Sequence, residues 1–338
     1  MHDQAGRVLA IGLAAFLSAS VGAEEAARDK EQPKMEFPQI VISNDALKLT
    51  IYLPDAEKGR YRGARFDWSG MIARAEFGGR TVFGPFRAKN DPAGHDTNVS
   101  GPAEEFDMDS PPGYADAKPG EPFMKIGVGL LERGKEAKYG FPLPYKIAKA
   151  GEWKVTSGKD WVEFRQDLAC GPWAYAYTKR IGLAAGGAGF TLAHTLRNTG
   201  TKPLDTTTYC HNFTLIDDDP VGPDYRVTFP FDLVAKAARG TFESKGREIA
   251  FPEEVKGSVW VAFETGTGKA EYNQVTVENR RTGTGVKIVG DRPVAEWRFY
   301  AEKTAACPEP FLRIQAAPGA EEKWQTQYTL LAGPRAEK

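Results

Sequence analysis

The chain has 338 residues, with 44 Lys and Arg against 45 Asp and Glu, and a formal net charge of −1. This balance excludes a general phosphate-backbone binder, which needs a clustered basic surface, and 41% hydrophobic with 26% charged residues excludes a disordered or low-complexity chain. Thirty-six glycines and 23 prolines against three cysteines point to many short elements joined by tight turns.

The first elements form an address. Residues 1–7 carry one basic residue, Arg7, beside Asp3. An apolar and small-residue run fills 8–21, and Val21-Gly22-Ala23 fits a small-residue cleavage site ahead of the polar EEAARDKEQ. That is the order of a secretory signal. The alternatives are a membrane anchor or a buried helix, but the run is short of the ~18–20 apolar residues a span needs. The expectation is a signal peptide over 1–23, a tether over 24–36 and one β domain over 37–336. The mature chain is then periplasmic or secreted and has no membrane span. Export permits disulfides. No CxxC pair occurs, so Cys170, Cys210 and Cys307 read as buried thiols or one disulfide.

Strand-like segments follow at 39–42 and 47–53, then 125–132, 161–168, Trp173–Leu183, 190–198 and 206–215. The remainder are 258–263, 273–278, 285–289, 295–300, 311–316 and 323–331. Many alternate apolar and polar residues, as half-buried antiparallel strands do. Gly186-Gly187-Ala188-Gly189 reads as a hairpin loop, not a dinucleotide fingerprint, because no helical pattern follows it. Helical periodicity is scarce. The fold class expected is all-β: one large antiparallel sandwich with little helix.

Two long irregular stretches interrupt the strands, 87–123 and 216–225, both rich in Asp, Pro, Gly and aromatics. Long loops in a compact β domain often carry function. Such loops can rim a sugar site, since carboxylates and amides bond hydroxyls while aromatic faces stack on a pyranose. They can equally be solvated connections.

No HExxH, P-loop, GxSxG or EF-hand loop is present. With four histidines in all, those beyond the leader hold most of the acid–base capacity near neutral pH. His194 lies on the apolar face of its strand pattern and reads as a core or sheet histidine. His95, beside Asp96 in the long loop, reads either as a surface residue or as a site residue. His211 ends a strand and leads into the acidic loop, where it is placed to reach a ligand. Glu309 sits in Cys307-Pro308-Glu309-Pro310. The flanking prolines fix φ and remove donors, so its carboxylate stands on a stiff backbone at the start of a strand. A His–Glu pair is a minimal acid–base device.

Tyr209-Cys210-His211-Asn212-Phe213 resembles the histidine-bearing strand of the aldose 1-epimerase (galactose mutarotase) family. Cys307-Pro308-Glu309-Pro310, then Ala317-Pro318-Gly319 and Trp324-Gln325-Thr326-Gln327-Tyr328, is similar to that superfamily's C-terminal pattern, in its C-x-E-P version. The stretch 62–70, RGARFDWSG, resembles the group's early R-F-x-x-x-G hairpin. The resemblance implies a β super-sandwich with a sugar groove, and anomer interconversion in which His211 is the acid and Glu309 the base. It also implies substrate contacts from Arg65 and His95. Tyr209, on the same strand face as His211, and Asp224, in the acidic loop, complete the expected contacts. The usual N-H-x-x-H-G motif is replaced by a loose likeness over 90–95, and H-x-Y-F-N-L by H-N-F-T-L. No cofactor is implied, and a mono- or oligosaccharide is the partner of a monomer or weak dimer.

Alternation adds a constraint. If His211 and Glu309 both face the groove, Cys210 faces away, and a Cys210–Cys307 disulfide is not expected. Two further readings compete with the epimerase. One is a non-catalytic carbohydrate-binding protein. The other is a glycan lyase or hydrolase, with a cleft lined by Trp68, Tyr114, Trp173 and Phe311. Asp217, Asp218 and Asp219 could bind a hard cation such as Ca²⁺, or form a solvated turn. Asn98-Val99-Ser100 and Asn212-Phe213-Thr214 match glycosylation sequons. The balanced charge fits a neutral sugar.

Overall fold

The computed structural model describes residues 37–333 apart from Asp109. The expected signal and tether over 1–36 lie outside the described residues, as do 334–336 of the expected β domain.

Among the described residues the chain forms twenty-three strands and one 3-10 turn, Ala270–Tyr272. The all-β reading holds. All strand pairs are antiparallel, as expected of strands joined by short turns. The largest sheet has ten strands, and toward one edge it is a meander of long ones: Trp161–Cys170, Trp173–Leu183 and Gly189–Asn198, followed by Glu321–Leu331. The glycine loop at 186–189 closes one of these hairpins, with Gly187 at φ +77°. A four-stranded sheet is built from Gln39–Ser43, Lys48–Tyr52, Ile72–Phe77 and Arg80–Val82.

The sheet that matters for function has six strands, in the order Ala235–Arg239, Val259–Phe263, Glu296–Glu302, Ala305–Ala316, Leu204–Phe213, Gly101–Phe106. Period-2 alternation splits its side chains between two faces. Val259, Val261, Phe263, Trp297, Phe299, Ala301 and Ala306 enter one core cluster with Phe164, Ile181, Leu192, Val277, Ile288 and Tyr328 of the ten-stranded sheet. Trp260, Arg298, Tyr300, Cys307, Glu309, Tyr209, His211 and Phe213 therefore point to the other face. Irregular segments cover that second face. Tyr61, Phe66, Trp68, Phe86, Val99, Tyr114, Phe123 and Tyr139 pack with Phe213, Ala305 and Cys307 in a separate buried cluster.

Several expected elements differ. The single strand at 125–132 is a hairpin, Pro122–Lys125 and Gly129–Glu132, turned at Gly127 with φ +78°. The RGARFDWSG stretch is buried but irregular, not a hairpin. The long loop at 87–123 contains the strand Gly101–Phe106, buried along its whole length. Its sequence, GPAEEF, hides it: Gly and Pro are strand-poor, and two adjacent glutamates read as solvated.

Candidate functional site

Register puts His211 and Glu309 side by side. The ladder pairs Tyr209 with Phe311 and Arg298 with Glu309, so the next row on this face holds Arg298, Glu309, His211 and, across the following strand, Ala103. His211 Nε2 lies 3.0 Å from Glu309 Oε1, with both side chains almost wholly buried.

The two prolines make room for this contact. Pro308 and Pro310 lie inside the strand Ala305–Ala316, not at its start as the sequence suggested. Strand geometry turns their nitrogens toward Leu204–Phe213, where neither can donate. Pairing accordingly stops after Tyr209–Phe311 and resumes at the Thr214–Ala306 bridge. Asn212 spans the gap. Its Nδ2 donates to the Pro308 carbonyl at 2.8 Å, and its Oδ1 accepts from the Tyr328 hydroxyl at 2.7 Å.

A second buried group braces the pair. Arg65 Nε donates to Glu105 Oε2 at 2.7 Å, and Nη2 donates to the Tyr209 hydroxyl at 2.9 Å. Tyr209 in turn donates to the same Glu105 oxygen. The guanidinium lies over the rings of Phe66 and Phe141, at 4.3 and 4.5 Å from their centroids. Behind Glu105 sit Lys125, 3.8 Å away, and Asp107, whose pKa is pushed up by burial against the pull of Lys125. The Tyr61 hydroxyl fixes the segment that carries Arg65. It accepts from the Arg65 and Phe66 amides and donates to the His95 carbonyl at 3.0 Å, tying that segment to the His95 loop.

Electrostatics leave the pair holding a proton. Burial raises Glu309 to about 8, even though Arg65 and Arg298 oppose the rise. Burial, with Arg65 and Arg87 adding repulsion, pushes His211 well below its usual value. Near neutral pH the carboxyl is protonated and the imidazole neutral, the reverse of the order the family roles suggest. His211 is held by stacking on Phe213 at 4.0 Å and by edge contacts to Phe66 and Tyr300. Its Nδ1 is buried without a protein partner.

These groups line a cavity of about 430 Å³, within the size range of small-molecule sites. Arg65, Tyr209, His211 and Glu309 form its floor. Phe86, Phe141, Trp260 and Tyr300 supply aromatic walls, and His95, Asp96, Arg239 and Arg298 add polar groups. The structure thus gathers Arg65, His95, Tyr209, His211 and Glu309 in one place. Asp224 is not among them, because it is ion-paired with Arg281 at 3.0 Å outside this cavity.

The acidic run is likewise spent on structure. Asp217 pairs with Arg80, Asp218 with Arg74 and Asp219 with Arg281. Among the described residues no group of three or more His, Cys, Asp or Glu could hold a metal. The four aromatics expected to line a polymer cleft lie elsewhere. Trp68 and Tyr114 are buried in the cover, Trp173 pairs with Lys202, and Phe311 stacks beneath Tyr209. Both sequon asparagines, Asn98 and Asn212, are buried and hydrogen-bonded. His194 is the core histidine expected. It stacks between Tyr177 and Trp324 and contacts Glu104 at 3.0 Å. All three cysteines are free, and Cys210 faces Tyr328 across the core, away from the cavity.

Sequence reasoning missed Glu104, Glu105, Lys125 and Asp107. Glu104 and Glu105 point to opposite faces, each toward a buried cation: Lys179 for the first, Arg65 for the second. Burial alone would raise the Glu104 carboxyl, but Lys179 and His194 hold it down to about 2. The available signal was Glu-Glu between Ala103 and Phe106, a dipeptide that fits a strand only if both carboxylates have partners.

No family model matches the chain, and no curated protein matches it. Solved structures do. A protein from Synechocystis sp. PCC 6803 aligns over 88% of this chain and 96% of its own, at 10% identity and a TM-score of 0.55. A GalM/aldose epimerase homologue from C. elegans aligns over 88% and 100%, at 12% identity and a TM-score of 0.53. A galactose mutarotase related enzyme from Lactobacillus acidophilus aligns over 89% and 99%, at 10% identity and a TM-score of 0.52. The fold is therefore the galactose mutarotase-like β-sandwich, over nearly all of the described chain.

Proposed function

We propose that the protein is an exported aldose 1-epimerase-type enzyme that interconverts the anomers of a sugar, using His211 and Glu309 as its acid–base pair. The observation that carries this reading is the buried 3.0 Å contact between the two at the floor of a cavity, with their pKa values displaced in opposite directions. Ring opening needs a proton removed from the anomeric hydroxyl and one delivered to the ring oxygen. Ring closure on the other face needs the same transfers reversed. A pair that shares one transferable proton serves both directions, because each partner alternates between donor and acceptor. Arg65 is placed to steady a developing sugar oxyanion, since Glu105 and Tyr209 fix its guanidinium. Trp260 and Tyr300 offer faces for the C–H side of a pyranose. The signal-like residues 1–23 support a periplasmic or secreted location, and sequencing the mature N-terminus is expected to begin at Glu24.

The test is the decay of optical rotation of freshly dissolved α-glucose and α-galactose. Wild type is expected to speed equilibration, and Glu309→Gln and His211→Ala each to cut the added rate by about 10²–10⁴-fold. Sugar binding without faster equilibration in wild type would instead favour a carbohydrate-binding protein on this fold.

A further inference from the structure

We infer that the site takes the reducing end of an oligosaccharide, with the next sugar unit seated in an adjoining cavity; this rests on the anomer-interconverting reading above. A second cavity, of about 570 Å³, shares Arg65, His95, Phe141 and Pro142 with the first. The two spaces are thus parted by side chains common to both. Anomer interconversion involves C1, O1 and the ring oxygen of one unit only. A second unit, linked through another hydroxyl, extends away from that reacting end, and the adjoining cavity, bounded by the same four side chains, lies next to it.

The second cavity has the surface a pyranose needs. One side is the segment Phe141-Pro142-Leu143-Pro144-Tyr145. Its prolines fix φ and offer no donors, so this rim is stiff and apolar. Leu143 is 39% exposed, one of only four large hydrophobic side chains exposed among the described residues, and the other three line neither cavity. Tyr145 is held by stacking on Tyr139 at 5.2 Å and accepts from the Gly140 amide through its hydroxyl. The same cavity is lined by Arg62 and Asp91. Asp91 is ion-paired with Lys89, while Arg62 acts on Asp55 through its charge and forms no guanidinium hydrogen bond among the described residues. An apolar rim and hydrogen-bonding groups lining one cavity match the C–H face and hydroxyl edge of one sugar ring.

The experiment compares glucose with cellobiose, maltose and gentiobiose, following anomer exchange by NMR and binding by calorimetry on the Glu309→Gln protein. At least one disaccharide is expected to show a KM and a Kd at least tenfold below those of glucose. Leu143→Asp and Arg62→Ala are expected to shrink that ratio to below threefold. Leu143 is on the rim, so its variant tests the cavity without disturbing the core, and circular dichroism checks both folds. Exchange of glucose with no advantage for any disaccharide would overturn the second subsite and leave the epimerase reading intact. Tighter disaccharide binding without exchange would keep the subsite and remove the catalysis. Equal or absent binding of all four sugars would overturn the subsite.

Discussion

Glu309 is a carboxyl kept protonated by its surroundings, and that makes a prediction about stability. Its folded pKa, about 8, stands above its value in an unfolded chain. Between these values the folded state binds more protons than the unfolded state, so stability falls as pH rises toward 8. His211, with its folded pKa lowered, acts oppositely, but only below about 6.5, where the unfolded histidine is charged. From about pH 6.5 to 8 the Glu309 contribution is therefore separable from that of His211. Urea unfolding across that window is expected to show stability falling with pH, and Glu309→Gln to remove up to about 1.4 kcal/mol per pH unit of that slope. Asp107 is raised as well and loses its proton in the same direction. Asp107→Asn should therefore remove a separate part of the slope, and an unchanged slope in Glu309→Gln would mean that Glu309 is ionised throughout. Glu105 instead holds a buried cation. Among the described residues it is the only carboxyl hydrogen-bonded to Arg65, and it also accepts from Tyr209. Glu105→Gln leaves a buried guanidinium without its counter-charge, a loss of about 3–5 kcal/mol by analogy with other broken buried pairs. Chemical denaturation measures it, and a loss below about 1 kcal/mol would contradict the bracing role.

The His211–Glu309 contact also depends on how its strands are joined. Two prolines in a central strand would ordinarily be a fault. Here they end the ladder where His211 and Glu309 must face one another, and Asn212 carries the connection across the gap. Asn212→Ala strips a partner from the Pro308 carbonyl and from the Tyr328 hydroxyl, both buried. The expected cost is about 2–4 kcal/mol, with a fall in kcat greater than in Tyr328→Phe, which removes only one of the two links. Equal kcat in the two variants would show that the gap needs no bridge. Tyr61→Phe is a parallel test on the cover. It unties the Arg65 segment from the His95 loop, so KM for sugar should rise alongside a stability loss of about 1–3 kcal/mol. Legibility follows the same lines. The prolines singled out Glu309, and period-2 alternation correctly separated the facing of Cys210 from that of His211. Sequence could not place the prolines mid-strand, because a proline normally argues against a central strand. Nor could it find Gly101–Phe106, whose two glutamates are buried only because Lys179 and Arg65 arrive from distant segments.

At the scale of the molecule, the sandwich was legible because hydrophobic alternation is local, whereas the cover over the functional face was not. Tyr61, Phe66, Trp68, Phe86, Tyr114 and Tyr139 reach that face from irregular segments between short strands, and aromatic packing of this kind leaves no periodic trace. Asp224 was misplaced for a related reason. Its loop is acidic, like a sugar-binding rim, yet long-range pairing with Arg281 commits it elsewhere. What the architecture achieves is a buried His211–Glu309 contact at the floor of a cavity of about 430 Å³. Residues that act as one unit lose catalysis non-additively. The most direct measurement is therefore a double-mutant cycle on anomer exchange, comparing wild type, His211→Ala, Glu309→Gln and the double variant by exchange NMR at the anomeric protons. Each single substitution is expected to lose at least about 10²-fold, and the double variant to be no slower than the worse single. A wild-type rate equal to that in buffer, or single losses that simply multiply in the double variant, would contradict this.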